Sequence, residues 1–135
     1  MRTVLDSSVI LDVVTDDPVW ADASEAALVA ALGRGALVIG ECVLAEITPA
    51  LGEEDLIAFL GEWKITYAAT SRDAAVTAGR MYAAYLQRGG TAKRVLPDFL
   101  IGAHALENGA RLLARDRGYY RDYFDGLTVI DPGMA

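Results

Sequence analysis

The sequence predicts an α/β fold in which helices cover both faces of a mainly parallel sheet. Short apolar segments alternate with longer segments of helical periodicity along the whole chain, which is the pattern of βαβ units. The length of 135 residues is that of one domain with one core. No internal repeat, linker or low-complexity segment interrupts the chain. Residues 1–135 are therefore expected to form a single domain.

The first elements are a strand, a turn and two helices. Residues 3–5 are a short apolar strand signal, and residues 6–8 (Asp-Ser-Ser) each favour a helix N-cap before the apolar segment 9–14. The pair Asp17-Pro18 is typical of an N-cap with proline at the first helical position. Helical spacing then continues until Gly33, so a second helix is expected there.

The middle of the chain predicts two more strands with helices between them. Residues 36–39 form an apolar run between glycines and are expected to be a buried strand. Residues 41–51 resume helical spacing up to Gly52, and residues 53–63 form a further amphipathic helix with acids in its first turn. Residues 65–69 are expected to be the third strand.

The last part of the chain continues the alternation. A long helix is expected over 71–88, closed by two glycines, and a helix that begins at a proline is expected over 97–108. The remaining elements are short. They are a strand at 111–114, a helical turn at 119–124 and a strand at 128–130.

Composition excludes several classes of protein. A hydrophobic fraction of 53% is too high for a disordered chain, yet charged residues interrupt every apolar run before it could span a membrane. The N-terminus has no secretory pattern, so a cytoplasmic protein is expected. Cys42 is the single cysteine, which rules out an intramolecular disulfide.

The charge of the chain is negative and unevenly distributed. A net charge of −7 argues against a passive nucleic-acid coat, because such proteins neutralise many phosphates with cations. Residues 1–67 contain 3 basic and 12 acidic residues, whereas residues 68–135 contain 9 basic and 7 acidic residues. A bound polyanion is therefore expected to meet the C-terminal half.

Four acids are candidates for one site at the edge of the sheet. In an open parallel sheet, sites form beyond the carboxyl ends of the strands. Asp6 and Asp116 directly follow strand signals, Asp98 lies in the first turn of a helix, and Glu46 lies in the helix after the second strand. Each acid alone has an ordinary explanation as a cap, a turn residue or a surface carboxylate. The hypothesis of a common site depends on their joint placement.

The helix that contains Glu46 also contains Glu41, and both cannot face one site. Their five-residue separation corresponds to about 140° around the helix axis. Glu46 is the preferred candidate because its neighbours one turn away, Cys42 and Ala50, are small enough to lie beneath a pocket.

The four acids lie in segments that together resemble the PIN-domain family, and more narrowly its VapC-type ribonuclease toxins. The segments are VLDSSVILD with Asp6, ECVLAEI with Glu46, LPDFLIGAHAL with Asp98 and LLARDRGYY with Asp116. The resemblance covers nearly the whole chain. No single segment is specific, but the four in this order and at these spacings are.

The resemblance implies a three-layer α/β/α sandwich, an acidic Mg²⁺ or Mn²⁺ site, and hydrolysis of single-stranded or looped RNA. Asp6 and Asp98 are then the principal metal ligands, and Glu46 and Asp116 bind a second ion or position its waters. Hard divalent cations prefer such oxygen ligands, and crowded carboxylates repel one another unless a cation lies between them. The family usually carries Thr or Ser two residues before its last acid, where this chain has Ala114.

Further residues are assigned supporting roles beside the acids. Ser7 or Ser8 resembles the hydroxyl residue that follows the first acid in the family, where it bonds a carboxylate or a phosphate; helix capping is the alternative. Basic residues near the acids are candidate phosphate contacts at the rim of the site, with an ordinary solvated surface as the alternative. They are Lys93, Arg94, Arg115, Arg117 and Arg121.

The resemblance also implies partners. It implies a homodimer and a small antitoxin protein, with an apolar antitoxin segment along the early helices. Trp20, Leu56, Phe59 and Trp63 are candidates for that contact, and the protein core is their alternative place. The RNA target cannot be inferred, because base recognition depends on loop geometry.

Other hypotheses remain beside the nuclease. Asp6 resembles the nucleophile of an aspartyl-phosphate phosphatase, but Ser8 stands where such enzymes carry a second Asp. A degenerate member of the PIN fold could bind RNA or protein without cleavage.

His104 is expected to be packed or on the surface, because it lies about 240° around its helix from Asp98. At least two of the closing aromatic residues Tyr119, Tyr120, Tyr123 and Phe124 are expected in the core.

Overall fold

A computed structural model of the protein describes residues 1–91, 95–116 and 118–134. Within them, five short strands alternate with helices along the chain. The strands are β1 (Thr3–Leu5), β2 (Leu37–Ile39), β3 (Ile65–Tyr67), β4 (Arg111–Leu113) and β5 (Thr128–Ile130). The helices are α1 (Ser7–Val14), α2 (Ala21–Arg34), α3 (Glu41–Leu51), α4 (Glu53–Glu62), α5 (Arg72–Gln87), α6 (Leu96–Glu107) and α7 (Tyr119–Tyr123), and Pro132–Met134 is a 3₁₀ turn.

The strands form one parallel sheet in the order β3-β2-β1-β4-β5. β1 lies at its centre, where Val4 pairs with Val38 of β2 on one side and with Leu112 of β4 on the other. The strands β1 and β2 are fully buried, as expected for parallel strands that are covered on both faces. This confirms the predicted three-layer α/β/α fold, with a sheet that is parallel throughout.

Two groups of buried side chains hold the helices on the sheet. The larger joins the central strands to α1, α2, α3 and one side of α6. The smaller lies between α5, α6 and α7 and is built around the fully buried ring of Phe99. Gly102 of α6 allows a close approach there, because an added Cβ would lie 2.6 Å from the ring of Phe124. Within the described residues, no helix is long and apolar enough to cross a membrane.

The predicted strands and helices are present, and most of the differences are one or two residues at an end. The clearest difference is the start of the second helix. The sequence predicts this start at Pro18, whereas α2 begins at Ala21. The Asp17 carboxylate does accept hydrogen bonds from the backbone N–H groups of Val19 and Trp20, each at 2.9 Å. Asp17 therefore caps a separate turn that precedes the helix.

Candidate active site

An open cavity of about 280 Å³ lies at the carboxyl edge of the sheet. The chain leaves β1 towards β2 on one side and leaves β4 towards β5 on the other, so this edge contains the point where the strand order reverses. Three of the four candidate acids line the cavity, namely Asp6, Glu46 and Asp98. Its wall is completed by Ser7, Ser8, Leu11, Pro97, Arg115, Tyr119 and Tyr120.

Asp6 is held by both of its carboxylate oxygens. Its backbone N–H donates to the carbonyl of Leu113 at 3.0 Å, which continues the pairing of β1 with β4 past the end of the strand. Its Oδ2 accepts from the hydroxyl of Ser8 at 2.5 Å and from the Ser8 backbone N–H at 3.3 Å, and so caps α1. Its Oδ1 accepts from the hydroxyl of Tyr120 at 3.1 Å. Asp6 is therefore both a helix cap and a cavity residue.

The Tyr120 hydroxyl connects two of the candidate acids. It lies 3.5 Å from Oδ1 of Asp98 as well as 3.1 Å from Oδ1 of Asp6. Burial raises the pKa of the Tyr120 phenol well above its usual value, and the negative charges of Asp6 and Asp98 add to the effect. The phenol thus stays protonated at neutral pH. Its single proton points to the nearer acceptor, Asp6, and Asp98 is the more distant alternative.

Glu46 faces the cavity from α3 and Glu41 does not. The Ser7 hydroxyl donates to Oε1 of Glu46 at 3.2 Å, so a residue that follows Asp6 also orients the third acid. The Glu41 carboxylate instead accepts from the backbone N–H of Thr70, at 3.0 and 3.1 Å. The two serines of the first turn of α1 therefore have separate partners, Ser7 at Glu46 and Ser8 at Asp6.

Asp116 does not line the cavity. Its side chain is 1% exposed and accepts hydrogen bonds from the backbone N–H groups of Gly118, Tyr120 and Arg121 at 2.8 to 3.3 Å. Arg121 also approaches it as an ion pair at 3.5 Å. Ala114, two residues before Asp116, is fully buried. The fourth acid therefore organises the start of α7 in this structure.

We expect Asp116→Ala to lower the free energy of unfolding by about 0.5 to 2 kcal/mol, as removal of a helix cap does, because three backbone donors lose their acceptor. Urea denaturation in the presence of chelator measures this loss, with Asp125→Ala as a control that removes an exposed acid just after the helix. Unchanged stability in chelator, combined with a lost stabilisation by Mg²⁺, would instead support the metal-binding role that the family resemblance implies.

Arg115, a predicted phosphate contact, lines the cavity and forms an ion pair within the protein. Its Nε and Nη2 donate to the two carboxylate oxygens of Asp12, each at 2.8 Å. Asp12 is 3% exposed and also accepts from the hydroxyl of Ser24 at 2.7 Å. The guanidinium lies over the ring of Trp20, with its carbon 5.2 Å from the ring centroid. The sequence pattern did not identify Asp12 as a site residue, because Asp12 lies within an apolar helical segment.

The other predicted basic contacts divide into two groups. Arg121 forms ion pairs with Asp116 at 3.5 Å and with Asp131 at 3.8 Å, so it too has partners within the chain. Lys93, Arg94 and Arg117 lie outside the described residues.

The donor chemistry of the cavity fits Mg²⁺ or Mn²⁺. Within residues 1–91, 95–116 and 118–134, no three Asp, Glu, His or Cys side chains form a ready-made ligand set. Mg²⁺ does not require one, because it keeps several waters and binds through one or two carboxylates and substrate phosphates. Asp6 and Asp98, whose Oδ1 atoms lie 3.1 and 3.5 Å from the Tyr120 hydroxyl, are the pair that could hold such an ion, and Glu46 lines the same cavity. The Arg115 charge at the cavity wall is offset by its pairing with Asp12.

Residues 3–124 match the family model of the PIN domain. The chain belongs to the PIN-domain family. This confirms the family resemblance of the four acidic segments, and the match spans Asp6, Glu46, Asp98 and Asp116. No curated protein matches this PIN domain significantly.

Solved structures share the fold of this PIN domain. A chain of VapBC2 from Rickettsia felis, bound to a DNA fragment from its promoter, is 18% identical with a TM-score of 0.75, and the match covers 97% of this chain and 98% of that one. A chain of DNA-bound VapBC from Salmonella typhimurium is 15% identical with a TM-score of 0.71, and 98% of each chain is covered. A chain of FitAcB from Neisseria gonorrhoeae is 16% identical with a TM-score of 0.68, and the match covers 98% of this chain and 99% of that one. At these identities the matches show a common fold.

The remaining predicted residues are placed away from the cavity or in the core. The His104 ring is 2% exposed and its Nε2 donates to the carbonyl of Ala68 at 2.6 Å, so it is a packed histidine. Tyr120 and Phe124 are buried, as expected for at least two of the closing aromatics. Phe59 is also buried and packs near the Trp63 ring at 6.2 Å, which places it in the core.

Proposed function

We propose that this PIN domain is a metal-dependent endoribonuclease and the toxin of a toxin-antitoxin pair. The observation that carries the proposal is the shared hydroxyl of Tyr120, which brings the Asp6 and Asp98 carboxylates together in a cavity that Glu46 also lines. Carboxylates that meet at one point favour a divalent cation between them. The cavity lies at the place where ligands bind in open parallel sheets.

The chain's own residues divide the work of hydrolysis. Asp6 and Asp98 would hold the ion, and the Asp6 carboxylate is oriented by hydrogen bonds from Ser8 to Oδ2 and from Tyr120 to Oδ1. Glu46, oriented by Ser7, is exposed and so placed to position a water or accept its proton. When bound, Mg²⁺ or Mn²⁺ would supply the Lewis acidity that makes water a nucleophile at neutral pH. No histidine is needed as a base, which agrees with the buried place of His104.

Partners follow from the structural neighbours and from charge. The neighbours are chains of VapBC and FitAB assemblies, which supports a cognate antitoxin partner. A homodimer in the cytoplasm belongs to the same proposal and rests on the family resemblance of the sequence. RNA is the proposed substrate, and the more basic C-terminal half of the chain is the side that a polyanion would approach. Asp98, Tyr119 and Tyr120 bring that half to the cavity.

We expect the purified protein, freed of antitoxin, to cleave a mixed RNA pool with Mg²⁺ or Mn²⁺ and to lose this activity in excess chelator. The reason is that clustered carboxylates repel a phosphate unless a cation screens them. Gel analysis of the RNA measures the loss, and Mn²⁺ added above the chelator concentration should restore cleavage. Undiminished cleavage in chelator would contradict the proposal.

A second candidate function is RNA or protein binding without cleavage. It is favoured by the place of Asp116, which is used to organise α7, and by the buried Ala114 at the position of a family hydroxyl. The same experiment separates the two functions. A protein that binds Mn²⁺ and RNA but leaves the RNA intact at every metal concentration would be the binding module.

A further inference from the structure

Tyr120 is placed where a phenylalanine would fill the core equally well. The residue is 3% exposed, and its ring belongs to the main core group together with Leu5 and Leu113. What distinguishes tyrosine here is the hydroxyl, which lies 3.1 Å from Oδ1 of Asp6 and 3.5 Å from Oδ1 of Asp98. A buried hydroxyl needs one partner. This one lies within reach of two carboxylates from different elements, the end of β1 and the first turn of α6.

The backbone of Tyr120 is held in place by the side chain of Asp116. The backbone N–H of Tyr120 donates to Oδ1 of Asp116 at 3.3 Å, and that oxygen also accepts from Gly118 at 2.8 Å. The backbone N–H of Asp116 donates to Oδ2 of Asp131 at 3.2 Å, which ties this turn to the residue that follows β5. The hydroxyl is thus held at the end of a connected set of hydrogen bonds that begins at the sheet.

We propose that Tyr120 is a positioning residue, which holds the Asp6 and Asp98 carboxylates at the separation and orientation that a divalent cation requires. The inference rests on the proposed function, since it concerns the same metal. The single hydroxyl proton bonds Asp6 at 3.1 Å or turns to Asp98 at 3.5 Å, and in either position its dipole reduces the repulsion between the two carboxylates before the ion binds. Asp116 then acts on the cavity through Tyr120, although it does not line the cavity.

This arrangement agrees with the general behaviour of metal sites. Ligating carboxylates are themselves hydrogen-bonded, and loss of such an outer partner typically weakens metal affinity about 10- to 100-fold. Asp6 has a second set of donors from Ser8, so it keeps part of its orientation without Tyr120. The loss of the hydroxyl should therefore weaken metal binding without abolishing it.

The test is Tyr120→Phe, which removes the hydroxyl and keeps the ring. Mn²⁺ binding to the RNA-free protein is measured directly, by the electron paramagnetic resonance signal of free Mn²⁺ and by titration calorimetry. We expect the dissociation constant to rise about 10- to 100-fold. In cleavage assays the Mn²⁺ concentration for half-maximal rate should rise by a similar factor, while the KM for RNA at saturating Mn²⁺ stays within twofold.

The matched control is Tyr123→Phe, which removes a hydroxyl from the same helix at a residue that does not line the cavity. Its Mn²⁺ dissociation constant should stay within twofold of that of the wild type. A Tyr120→Phe protein that also stays within twofold would overturn the positioning role. A wild type without saturable Mn²⁺ binding would overturn the proposed function itself, and the two failures are therefore distinguishable. Circular dichroism confirms that each variant is folded.

Discussion

Asp98→Asn is expected to abolish RNA cleavage and, in chelator, to raise the melting temperature of the protein. The amide is nearly isosteric with the carboxylate but carries no charge and is a poor ligand for Mg²⁺. Without metal, the negative charges of Asp6, Asp98 and Glu46 lie in one cavity. Burial is the main cause of the raised pKa of Tyr120, and these three charges raise it further. Removing one of these charges relieves repulsion in the metal-free protein.

A helix effect opposes this gain and sets the scale for the measurement. Asp98 lies in the first turn of α6, where a carboxylate favours the helix N-terminus by about 0.3 to 1 kcal/mol. Asp73 also lies in the first turn of its helix, α5, and it is exposed and outside the acidic cavity, so Asp73→Asn measures the helix effect alone. We expect Asp73→Asn to lower the melting temperature in chelator and Asp98→Asn to raise it.

Millimolar Mg²⁺ gives the second comparison. An ion that binds only the folded state stabilises it by about 2.7 kcal/mol at one hundred times its dissociation constant. The wild type and Asp73→Asn should gain equally from Mg²⁺, and Asp98→Asn should gain less. The contrary result is that Asp98→Asn has a lower melting temperature than the wild type in chelator, is stabilised as much by Mg²⁺ and still cleaves RNA. Asp98 would then only stabilise the N-terminus of α6, and the proposed site would be wrong.

The fold could be predicted from the sequence because local patterns and fold rules agree in this chain. Short apolar runs such as 37–39 are buried strands, and the alternation with helices requires parallel connections. The order of the strands could not be read from the sequence, since nothing local says that β4 pairs with β1 and not with β3. That pairing decides which loops meet Asp6.

The candidate site was predictable in part for the same reason. Asp6 could be predicted because it follows a strand. Helical geometry shows that Glu41 and Glu46 cannot both face one site, and the small neighbours of Glu46 favour it over Glu41. The role of Tyr120 depends on a contact between residues 114 positions apart in the chain, which no local pattern contains. The burial of Asp12 and its pairing with Arg115 are likewise tertiary, at a separation of 103 residues.

Arg115→Ala is expected to lower the free energy of unfolding by about 3 to 5 kcal/mol, the range for a buried ion pair that loses one partner. The value should fall towards the lower end, because the Arg115 side chain is 34% exposed while that of Asp12 is 3% exposed. The variant leaves the Asp12 carboxylate buried with the Ser24 hydroxyl as its remaining side-chain donor among the residues described. Urea denaturation at neutral pH measures the loss.

The control for the removal of a cation is Arg121→Ala. Arg121 is 46% exposed and its ion pairs are longer, at 3.5 and 3.8 Å. The side chain of Asp116 is buried, but it keeps its three backbone N–H donors when Arg121 is removed. We therefore expect a loss of at most about 1 kcal/mol, as for a pair with an exposed cation. The cost of Arg115→Ala should therefore exceed that of Arg121→Ala several-fold, although each variant removes one positive charge.

A double variant tests whether the cost comes from the stranded carboxylate of Asp12. With Asp12→Ala added to Arg115→Ala, neither charge of the pair is left buried, and the double variant should be more stable than Arg115→Ala alone.

RNA binding tests the alternative role of Arg115, because each phosphate contact to a single strand adds about 0.7 to the slope of log affinity against log salt. The structure engages the Arg115 guanidinium with Asp12, so the slope for Arg115→Ala should equal that of the wild type. A slope reduced by about 0.7 without a loss of stability would return Arg115 to the RNA-binding role that its place beside Asp116 first suggested.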